Sequence, residues 1–407
     1  GENYAAVQRQ AEDENEPEEG DFARVRLVGR TIQGRQECEV LERFDSGNDA
    51  HDVDRIILRH NLPGKHKEYP DLITDIDKLP ESERAKRKDY RKLLTVTIDG
   101  EHAKDFDDAV SFKKDGGRYI LYVHIADVSA FVAKGSTLDR EAERRGTSYY
   151  LGNRVVPMLP ESLSNNLCSL RPDEDRLTLS AELTYDRDGN LTNSYFTRGL
   201  IRSAKRMTYT MAHEMIEHPD GTVLSDMIND LYAFTQLLKK KRLGRGRVDL
   251  QMTDYELLFE EDQFSDIITA PRYKSHFLVE EAMLSANEAV SKILREQQVP
   301  SLYRVHEPMS MESLSSLMTF LATFGVKLDT SKELGNALQD AVEKVEGKPF
   351  SHVVSFVILR SMMQAFYGER PMGHFGLGFT DYTHFTSPIR RYPDLIVHRC
   401  LKSFIDG

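Results

Sequence analysis

Residues 97–110 read TIDGEHAKDFDDAV, and this stretch places four aspartates within ten positions, directly after the apolar run at residues 94–98. The four are Asp99, Asp105, Asp107 and Asp108. Carboxylates packed together repel and raise one another's pKa, whereas hard divalent cations such as Mg²⁺ take oxygen ligands and stabilise the crowding. The pattern therefore indicates a metal site at the end of a strand, and a solvated acidic loop is the competing interpretation.

The spacing of these aspartates narrows the kind of metal site. A calcium-binding EF-hand loop requires alternate acidic or amide ligands, a glycine and a closing glutamate, and this stretch does not follow that order. A group of carboxylates suits two-metal hydrolysis of a phosphodiester, in which one ion activates water and the other stabilises the leaving oxygen. The spacing alone does not distinguish a nuclease from a phosphatase or a kinase.

The segments that follow predict a sheet. Residues 94–98 and 119–125 have the character of strands, and the second is apolar enough to be buried on both faces. Residues 177–184 alternate leucine or alanine with polar side chains, and the Asp-Gly in Asp186–Asn190 predicts a tight turn into a further strand at residues 191–196. The first half of the domain is therefore predicted to be sheet.

The second half shows helical spacing of its apolar residues. Helices are predicted at residues 224–242, 273–297, 311–324 and 353–367, and Pro393 fits the first turn of a last helix that ends at Phe404. Sheet followed by helices, without an internal repeat, indicates the α+β class.

Composition sets limits on the class of protein. The chain has 407 residues, no apolar run approaches the length of a membrane span, and its first residues do not resemble a signal peptide. Its three cysteines are too scattered for a disulfide framework, so we expect a cytoplasmic protein.

Charge gives a mixed indication about nucleic acid. The net charge of −12 lacks the basic excess typical of nucleic-acid binders. Basic residues nevertheless cluster at residues 84–92 and 239–247 and at Arg390 and Arg391. Each cluster fits either a phosphate-binding strip or a solvated face, and the solvated face is the simpler hypothesis.

The sequence before residue 93 divides into three segments of different character. Residues 1–21 form an acidic lead-in that is predicted to be disordered. Residues 22–60 contain short alternating stretches separated by glycines, which predict a small β unit that is too short for a complete barrel. Residues 61–92 are rich in proline and charge and are predicted to be a linker, so the large domain is placed at residues 93–407.

Four blocks in order resemble the ribonuclease II/R (RNB) family. TIDGEHAKDFDDAV is similar to the signature of its catalytic domain, and the later blocks are RGTSYYL with VPMLP, LSNNLCSL, and YTHFTSPIRRYPD, which begin at Arg145, Leu163 and Tyr382. Together they resemble the ribonuclease R branch more than the ribonuclease II branch. The resemblance implies an RNB-type catalytic domain with a mixed or antiparallel sheet flanked by helices.

The resemblance also implies a function. Members of this family are 3′-to-5′ exoribonucleases, which hydrolyse single-stranded RNA processively to nucleoside 5′-monophosphates with Mg²⁺, or with Mn²⁺ as an alternative. The expected partner is the 3′ end of single-stranded RNA, and the expected state is a monomer. A catalytically silent RNA-binding protein of the same fold and a nuclease that degrades DNA are the alternatives, because sequence does not show the 2′-hydroxyl contacts that distinguish RNA.

The resemblance assigns roles to individual residues. Asp99, Asp105, Asp107 and Asp108 would hold the metal ions, and Asp107 matches the position most sensitive to neutralisation. Arg390 resembles the arginine that contacts the phosphate at the cleavage site, with the adjacent Arg391 as the alternative. Tyr150 matches the aromatic that stacks on the terminal base. Leu250 departs from the family, which has an aromatic facing that tyrosine, so it would pack on a base more weakly.

Some expected features of the family are missing from this sequence. Family members have two N-terminal cold-shock-type OB domains, a further helical segment after the Pro-Ile-Arg-Arg block, and a C-terminal OB domain. Residues 22–60 would then be part of one OB domain. We therefore expect this chain to be a fragment. His306, His384 and Cys168 are left out of the predicted catalytic set.

Overall fold

The computed structural model describes residues 22–32, 35–44, 49–69, 72–73, 75–250, 252–260 and 263–407. The predicted acidic lead-in at residues 1–21 lies outside these residues. The strands, in chain order, are β1 Phe22–Ile32, β2 Arg35–Phe44, β3 Lys88–Asp89, β4 Val96–Asp99, β5 Asp108–Asp115, β6 Arg118–Ala126, β7 Tyr149–Leu151, β8 Arg154–Val156, β9 Asp175–Tyr185, β10 Leu191–Arg202, β11 Lys205–Thr208, β12 Tyr255–Glu260, β13 Gln263–Thr269, β14 Tyr303–Val305 and β15 Phe366–Gly368.

The helices are α1 Asp49–Arg59, α2 Glu81–Ala85, α3 Thr137–Arg145, α4 Tyr209–Glu217, α5 Val223–Leu243, α6 Lys274–Glu296, α7 Met311–Thr323, α8 Leu334–Val345, α9 Ser351–Ser361 and α10 Tyr392–Asp406. Several begin at side-chain caps that satisfy free backbone N–H groups, as when Thr222 accepts from Ser225 N at the start of α5. No helix among the described residues combines the length and apolarity needed to cross a membrane.

A seven-stranded mixed sheet organises the large domain, in the order β11-β4-β5-β6-β9-β10-β3. The two edge pairs, β11 with β4 and β10 with β3, are parallel, and the four inner pairs are antiparallel. The Asp-Gly turn joins β9 to β10, as the sequence predicts. The predicted α+β fold with a mixed sheet flanked by helices is confirmed.

The two faces of the sheet bury different side chains. On one face, residues such as Val110, Leu121 and Leu179 form a core with helices α4, α5, α6 and α10. The alternate residues on the other face are buried as well, and several are polar. His124 Nδ1 lies 2.8 Å from Ser180 Oγ, which lies 2.8 Å from Thr178 Oγ1. These mutual hydrogen bonds offset the cost of burying polar groups.

Helices α7, α8 and α9 form a separate core. Leu317 and Leu321 of α7, Leu338 of α8 and Ile358 of α9 are buried together. Helix α9 ends at Ser361, before the predicted end at residue 367. The reason is a long-range pairing, because Phe366–Gly368 forms β15 and pairs with β14.

The chain divides into two compact units. The first contains the described residues up to His66 together with Tyr149–Val156 and Asp254–Ala270, and the second contains the rest. Within the first unit, Arg154 donates to Asp54 of α1 at 2.7 Å, and the ring of Phe259 packs so closely on Gly152 that a Cβ there would lie 2.5 Å from it. The sequence predicted a small β unit over residues 22–60, which is confirmed for β1 and β2 but wrong for residues 49–59, where α1 forms. The two later hairpins of this unit were not predicted.

The predicted linker at residues 61–92 includes parts that pack with the sheet. β3 lies at its edge, and Tyr90 is buried and hydrogen-bonded through its hydroxyl to Glu182. A two-residue strand is too short to show a periodicity, so this pairing could not be predicted from the sequence. The assignment of residues 22–60 to part of an OB domain stays a prediction.

Candidate active site

The loop between β4 and β5 carries the four predicted metal ligands. Asp99 is the last residue of β4 and Asp108 the first of β5, so adjacent antiparallel strands place both at the same end of the sheet. Arg206 of β11 fixes the start of the loop by donating to the carbonyls of Gly100 at 2.7 Å and Glu101 at 2.8 Å. The loop is therefore held by a neighbouring strand.

The end of the same loop is fixed by the segment that contains Ser169. Phe106 N donates to Ser169 Oγ at 3.0 Å, and that hydroxyl donates to the carbonyl of Lys104 at 2.7 Å. Leu170 N donates to the carbonyl of Phe106 at 3.0 Å. The block LSNNLCSL thus has a structural role in positioning the aspartates.

Asp107 connects this loop to the Pro-Ile-Arg-Arg block far along the chain. Its side chain is almost fully buried, and its Oδ1 accepts from Ile389 N at 2.8 Å. Its Oδ2 lies 3.6 Å from Arg390 Nε and has no hydrogen-bond partner among the residues that the structure describes. The structure therefore brings together the predicted most sensitive aspartate and the predicted phosphate-binding arginine.

The electrostatics of the aspartates are unusual. Burial, followed by the charges of Asp108, Asp107 and Asp105, raises the pKa of Asp99 to about 8. Burial raises the pKa of Asp108 to about 6, against the opposing charges of Arg390 and Arg391. Burial also raises the pKa of Asp107 well above its usual range, although Arg390 opposes the shift. For these three carboxylates, the cost of burial therefore outweighs the compensation from nearby positive charges.

The oxygen atoms that these aspartates present are suitable ligands for a divalent cation. In the described part of the chain, Asp99 Oδ2 and Asp107 Oδ2 are buried acceptors without a hydrogen-bond partner, and carboxylate oxygens are the ligands that Mg²⁺ prefers. Within the described ranges, however, no three or more His, Cys, Asp or Glu side chains are set closely enough to hold a metal ion. The donors are present, but they are not arranged as a closed ligand set.

The two adjacent arginines have different surroundings. Arg390 is half-exposed, its Nη2 donates to Ser387 Oγ at 3.1 Å, and its carbonyl accepts from Ser148 N at 3.0 Å. Arg391 is mostly buried and donates to Asp394 Oδ1 at 2.7 Å, and Asp394 is fully buried. Arg390 is therefore accessible to a substrate, whereas Arg391 balances a buried carboxylate.

Tyr209 belongs to the site but was not predicted from the sequence. It begins α4, directly after Thr208 of β11, which pairs with Asp99 of β4. Burial and the charges of Asp108 and Asp99 raise its pKa. Its ring stacks on His276 with a centroid separation of 3.9 Å. Only the pairing of β11 with β4, across about a hundred residues, would have revealed it.

The two predicted base-contacting residues lie in different units. Tyr150 is in β7 of the first unit and is half-exposed. Leu250 is in the second unit and packs against the core formed by α7, α8 and α9, so part of its side chain is already buried. Their roles in binding RNA stay predictions.

The basic runs at residues 84–92 and 239–247 are largely engaged in ion pairs. Arg87 is buried and pairs with Asp127 at 2.7 Å. Arg242 and Arg247 are buried and both pair with Glu281. These three arginines are therefore neither part of a phosphate-binding strip nor on a solvated face, and both predictions are wrong for them. Carboxylates from distant segments neutralise them inside the protein.

Two residues left out of the predicted catalytic set, His306 and Cys168, have contacts or burial typical of a structural role. His306 accepts from Gly376 N at 3.0 Å through Nδ1, and its Nε2 lies 2.8 Å from the carbonyl of Met363. Cys168 is buried, and burial raises the pKa of its thiol.

The raised carboxylate pKa values predict how stability depends on pH. Without divalent cations, we expect the free energy of unfolding to fall by about 1 kcal/mol between about pH 7 and 8.5. A carboxylate whose pKa is raised on folding stabilises the folded state below its unfolded pKa, and that stabilisation is lost as pH rises through the folded value. Asp99, at about 8, titrates in this window. Urea unfolding in EDTA measures the effect.

The control for this experiment is Asp99→Asn, which should flatten the decline. Histidines do not contribute to the decline between about pH 7 and 8.5. Those with lowered pKa values are already neutral in the folded and unfolded states above about pH 7. A wild-type free energy that rises across this window would contradict the assignment of the shift.

Comparisons with known proteins place the chain among proteins of known activity. The RNB domain family model matches residues 87–407. Ribonuclease R of Thermotoga maritima is 40% identical over 374 residues, which cover 89% of this chain and 53% of that protein. The chain therefore spans about half the length of this curated relative.

Two solved structures are also similar. Mycoplasma genitalium RNase R in complex with ribose-methylated single-stranded RNA matches with a TM-score of 0.88 and 26% identity, covering 98% of this chain and 64% of that one. Yeast Ssd1, described as a pseudonuclease, matches with a TM-score of 0.76 and 20% identity, covering 94% of this chain and 49% of that one. The second likeness concerns the fold alone.

Proposed function

Because the chain belongs to the RNB domain family, we propose that it is the catalytic part of a 3′-to-5′ exoribonuclease that hydrolyses single-stranded RNA processively to nucleoside 5′-monophosphates. The observation that carries the proposal is the contact of Asp107 with the Ile389–Arg390 segment. It joins a buried carboxylate, whose pKa burial raises despite the nearby arginine, to an accessible guanidinium. An anionic substrate and a cation would together neutralise such a site.

In this mechanism, Asp99, Asp105, Asp107 and Asp108 would hold Mg²⁺, or Mn²⁺. When bound, the metal would supply Lewis acidity for hydrolysis and would stabilise negative charge on the phosphate. Water attacks phosphorus, the bond to the 3′ oxygen of the preceding nucleotide breaks, and a nucleoside 5′-monophosphate leaves.

The protein's own residues supply orientation. Arg390 offers a planar, permanently charged fork that suits a phosphate, and its backbone is fixed by Thr147 and Ser148, which both donate to its carbonyl. Ser387 and Asp394 hold the preceding turn, since Ser387 N donates to Asp394 Oδ1 at 2.8 Å. The arginine is therefore positioned before the substrate arrives, which lowers the cost of aligning the reacting phosphate.

The experiment that tests this function is digestion of a 5′-labelled single-stranded RNA with Mg²⁺ beside an EDTA control. We expect shortening from the 3′ end that requires the metal, and nucleoside 5′-monophosphates as products. Added inorganic phosphate should leave the products unchanged, and nucleoside diphosphates would contradict hydrolysis. Bound RNA that stays intact would favour a catalytically silent RNA-binding protein. Degradation of DNA at the same rate as RNA would favour a nuclease that degrades DNA.

We expect Tyr150→Ala to weaken binding of the RNA 3′ end by about tenfold and to lengthen the end product. The reason is that base–aromatic stacking contributes about 1–3 kcal/mol per base. Fluorescence anisotropy and denaturing gels measure the two effects. Tyr255→Ala is the matched control, because Tyr255 is an exposed tyrosine of the same unit. Equal losses in both variants would contradict a specific stacking role.

The remaining features of the proposal are the partner, the location and the oligomeric state. We place the enzyme in the cytoplasm as a monomer that acts on the 3′ end of RNA. Support for the location comes from the three cysteines, which are all free thiols.

A further inference from the structure

Three side chains near Arg390 form a connected group that the mechanism above does not use. Arg304 of β14 lies opposite Tyr367 of β15, and its guanidinium carbon is 4.8 Å from the centre of that ring. The hydroxyl of Tyr367 lies 2.7 Å from His384 Nδ1. His384 precedes Arg390 by six residues in the same segment. All three side chains are at least partly accessible to solvent.

The backbone around this group is held by several contacts. Arg304 N donates to the carbonyl of Tyr382 at 3.0 Å, and Thr383 Oγ1 donates to the carbonyl of Leu302 at 2.6 Å. The ring of Tyr382 also meets His384 edge to face, with centroids 5.6 Å apart. The group is therefore fixed relative to the segment that leads to Arg390.

The cations around this group differ in their partners. No carboxylate pairs with Arg304 in the part of the chain that the structure describes, whereas Arg391 has Asp394 and Arg390 lies 3.6 Å from Asp107. Burial, followed by the charges of Arg391, Arg304, His374 and Arg390, lowers the pKa of His384 to about 2, so its ring is neutral. An anion bound here would balance the charge of Arg304.

We propose that Arg304, together with Tyr367 and His384, forms a second phosphate subsite that binds an internucleotide phosphate of single-stranded RNA beside the one held by Arg390. The inference rests on the proposed function, which supplies the polyanionic substrate. Arg304 provides the charged fork, and Tyr367 holds it in place through its ring. His384 is neutral, and when the tyrosine hydroxyl donates to Nδ1, its Nε2 carries the proton and becomes a donor to the phosphate.

The test uses a series of labelled single-stranded RNAs in which one neutral methylphosphonate linkage is moved stepwise from the 3′ end. Affinity for the 407-residue chain is measured by fluorescence anisotropy in EDTA, so that cleavage plays no part. We expect two positions at which the neutral linkage weakens binding by about tenfold, since a charge-assisted hydrogen bond contributes about 1.5–3 kcal/mol. One position should lose its effect in Arg390→Met, and the other in Arg304→Met.

Two further variants keep the outcome unambiguous. Arg304→Lys should retain part of the effect because the charge remains, and Arg118→Met should change nothing, since Arg118 lies at the far end of the β5–β6 hairpin from Asp108. If no linkage position responds to Arg304→Met while the fold is intact, the subsite is overturned. If the wild-type chain showed no metal-dependent digestion but kept the linkage effect that depends on Arg304, only the exonuclease function would be overturned.

Discussion

Asp107→Asn is expected to abolish RNA degradation while making the metal-free protein more stable. Loss of a group that acts on the charge of the transition state costs about 100- to 1,000-fold in turnover, and here a metal ligand is lost as well. Stability should rise by about 1–3 kcal/mol near pH 8, because burial raises the pKa of Asp107 and the amide cannot ionise. The amide oxygen can still accept from Ile389 N, so the fold should persist.

Three measurements separate this prediction from simple unfolding. Digestion of labelled RNA gives turnover, anisotropy gives RNA binding, and urea unfolding in EDTA gives stability. Added Mg²⁺ should raise the melting temperature of the wild-type chain more than that of the variant. Asp115→Asn is the matched control, because Asp115 is an exposed aspartate at the opposite end of the same strand. A variant that is inactive and also less stable at pH 8 would contradict the assigned role.

The sequence predicted the parts of the fold that local patterns encode. Strands β6, β9 and β10 are long enough to show their apolar pattern, and α5, α6, α7 and α10 are long enough to show helical spacing. The aspartate cluster could be predicted as well, because all four members lie within ten positions, at the adjoining ends of β4 and β5 and in the loop between them. Such features need no knowledge of distant contacts.

Features that depend on distant pairing could not be predicted. Tyr209 approaches the aspartates only because β11, a four-residue strand, pairs with β4. Strands β14 and β15 have three residues each, too few to show a period, and their pairing creates the group around Arg304. The buried state of Arg242 likewise depends on Glu281, which lies 39 residues away. Local composition does not reveal which charges meet inside the protein.

The adjacent arginines at positions 390 and 391 illustrate the same limit, and the structure separates them. Both match the resemblance to a phosphate-binding arginine, so the sequence left Arg391 as an alternative to Arg390. Exposure of Arg390 and burial of the Arg391–Asp394 pair now predict different consequences for the two substitutions. Substitution of Arg390 should affect activity, and substitution of Arg391 should affect stability.

Arg390→Met is expected to lower turnover by about 100-fold with little change in stability. The lost group would orient the scissile phosphate, and its only carboxylate contact among the described residues is with Asp107 at 3.6 Å, a pair in which the arginine is half-exposed. Arg391→Met should instead lower the free energy of unfolding by about 3–5 kcal/mol, because it leaves Asp394 charged, buried and without its cation. Urea unfolding and single-turnover digestion measure the two effects.

Activity must be expressed per folded molecule, because partial unfolding of Arg391→Met would otherwise resemble a catalytic defect. Arg390→Lys refines the comparison, since lysine keeps the charge but loses the planar fork, and about a tenfold loss is expected. The double substitution Arg391→Met with Asp394→Leu removes both partners of the buried pair and should recover much of the stability. If folded Arg391→Met lost as much turnover as Arg390→Met, Arg391 would contact the phosphate too, and the division of roles drawn from burial would be wrong.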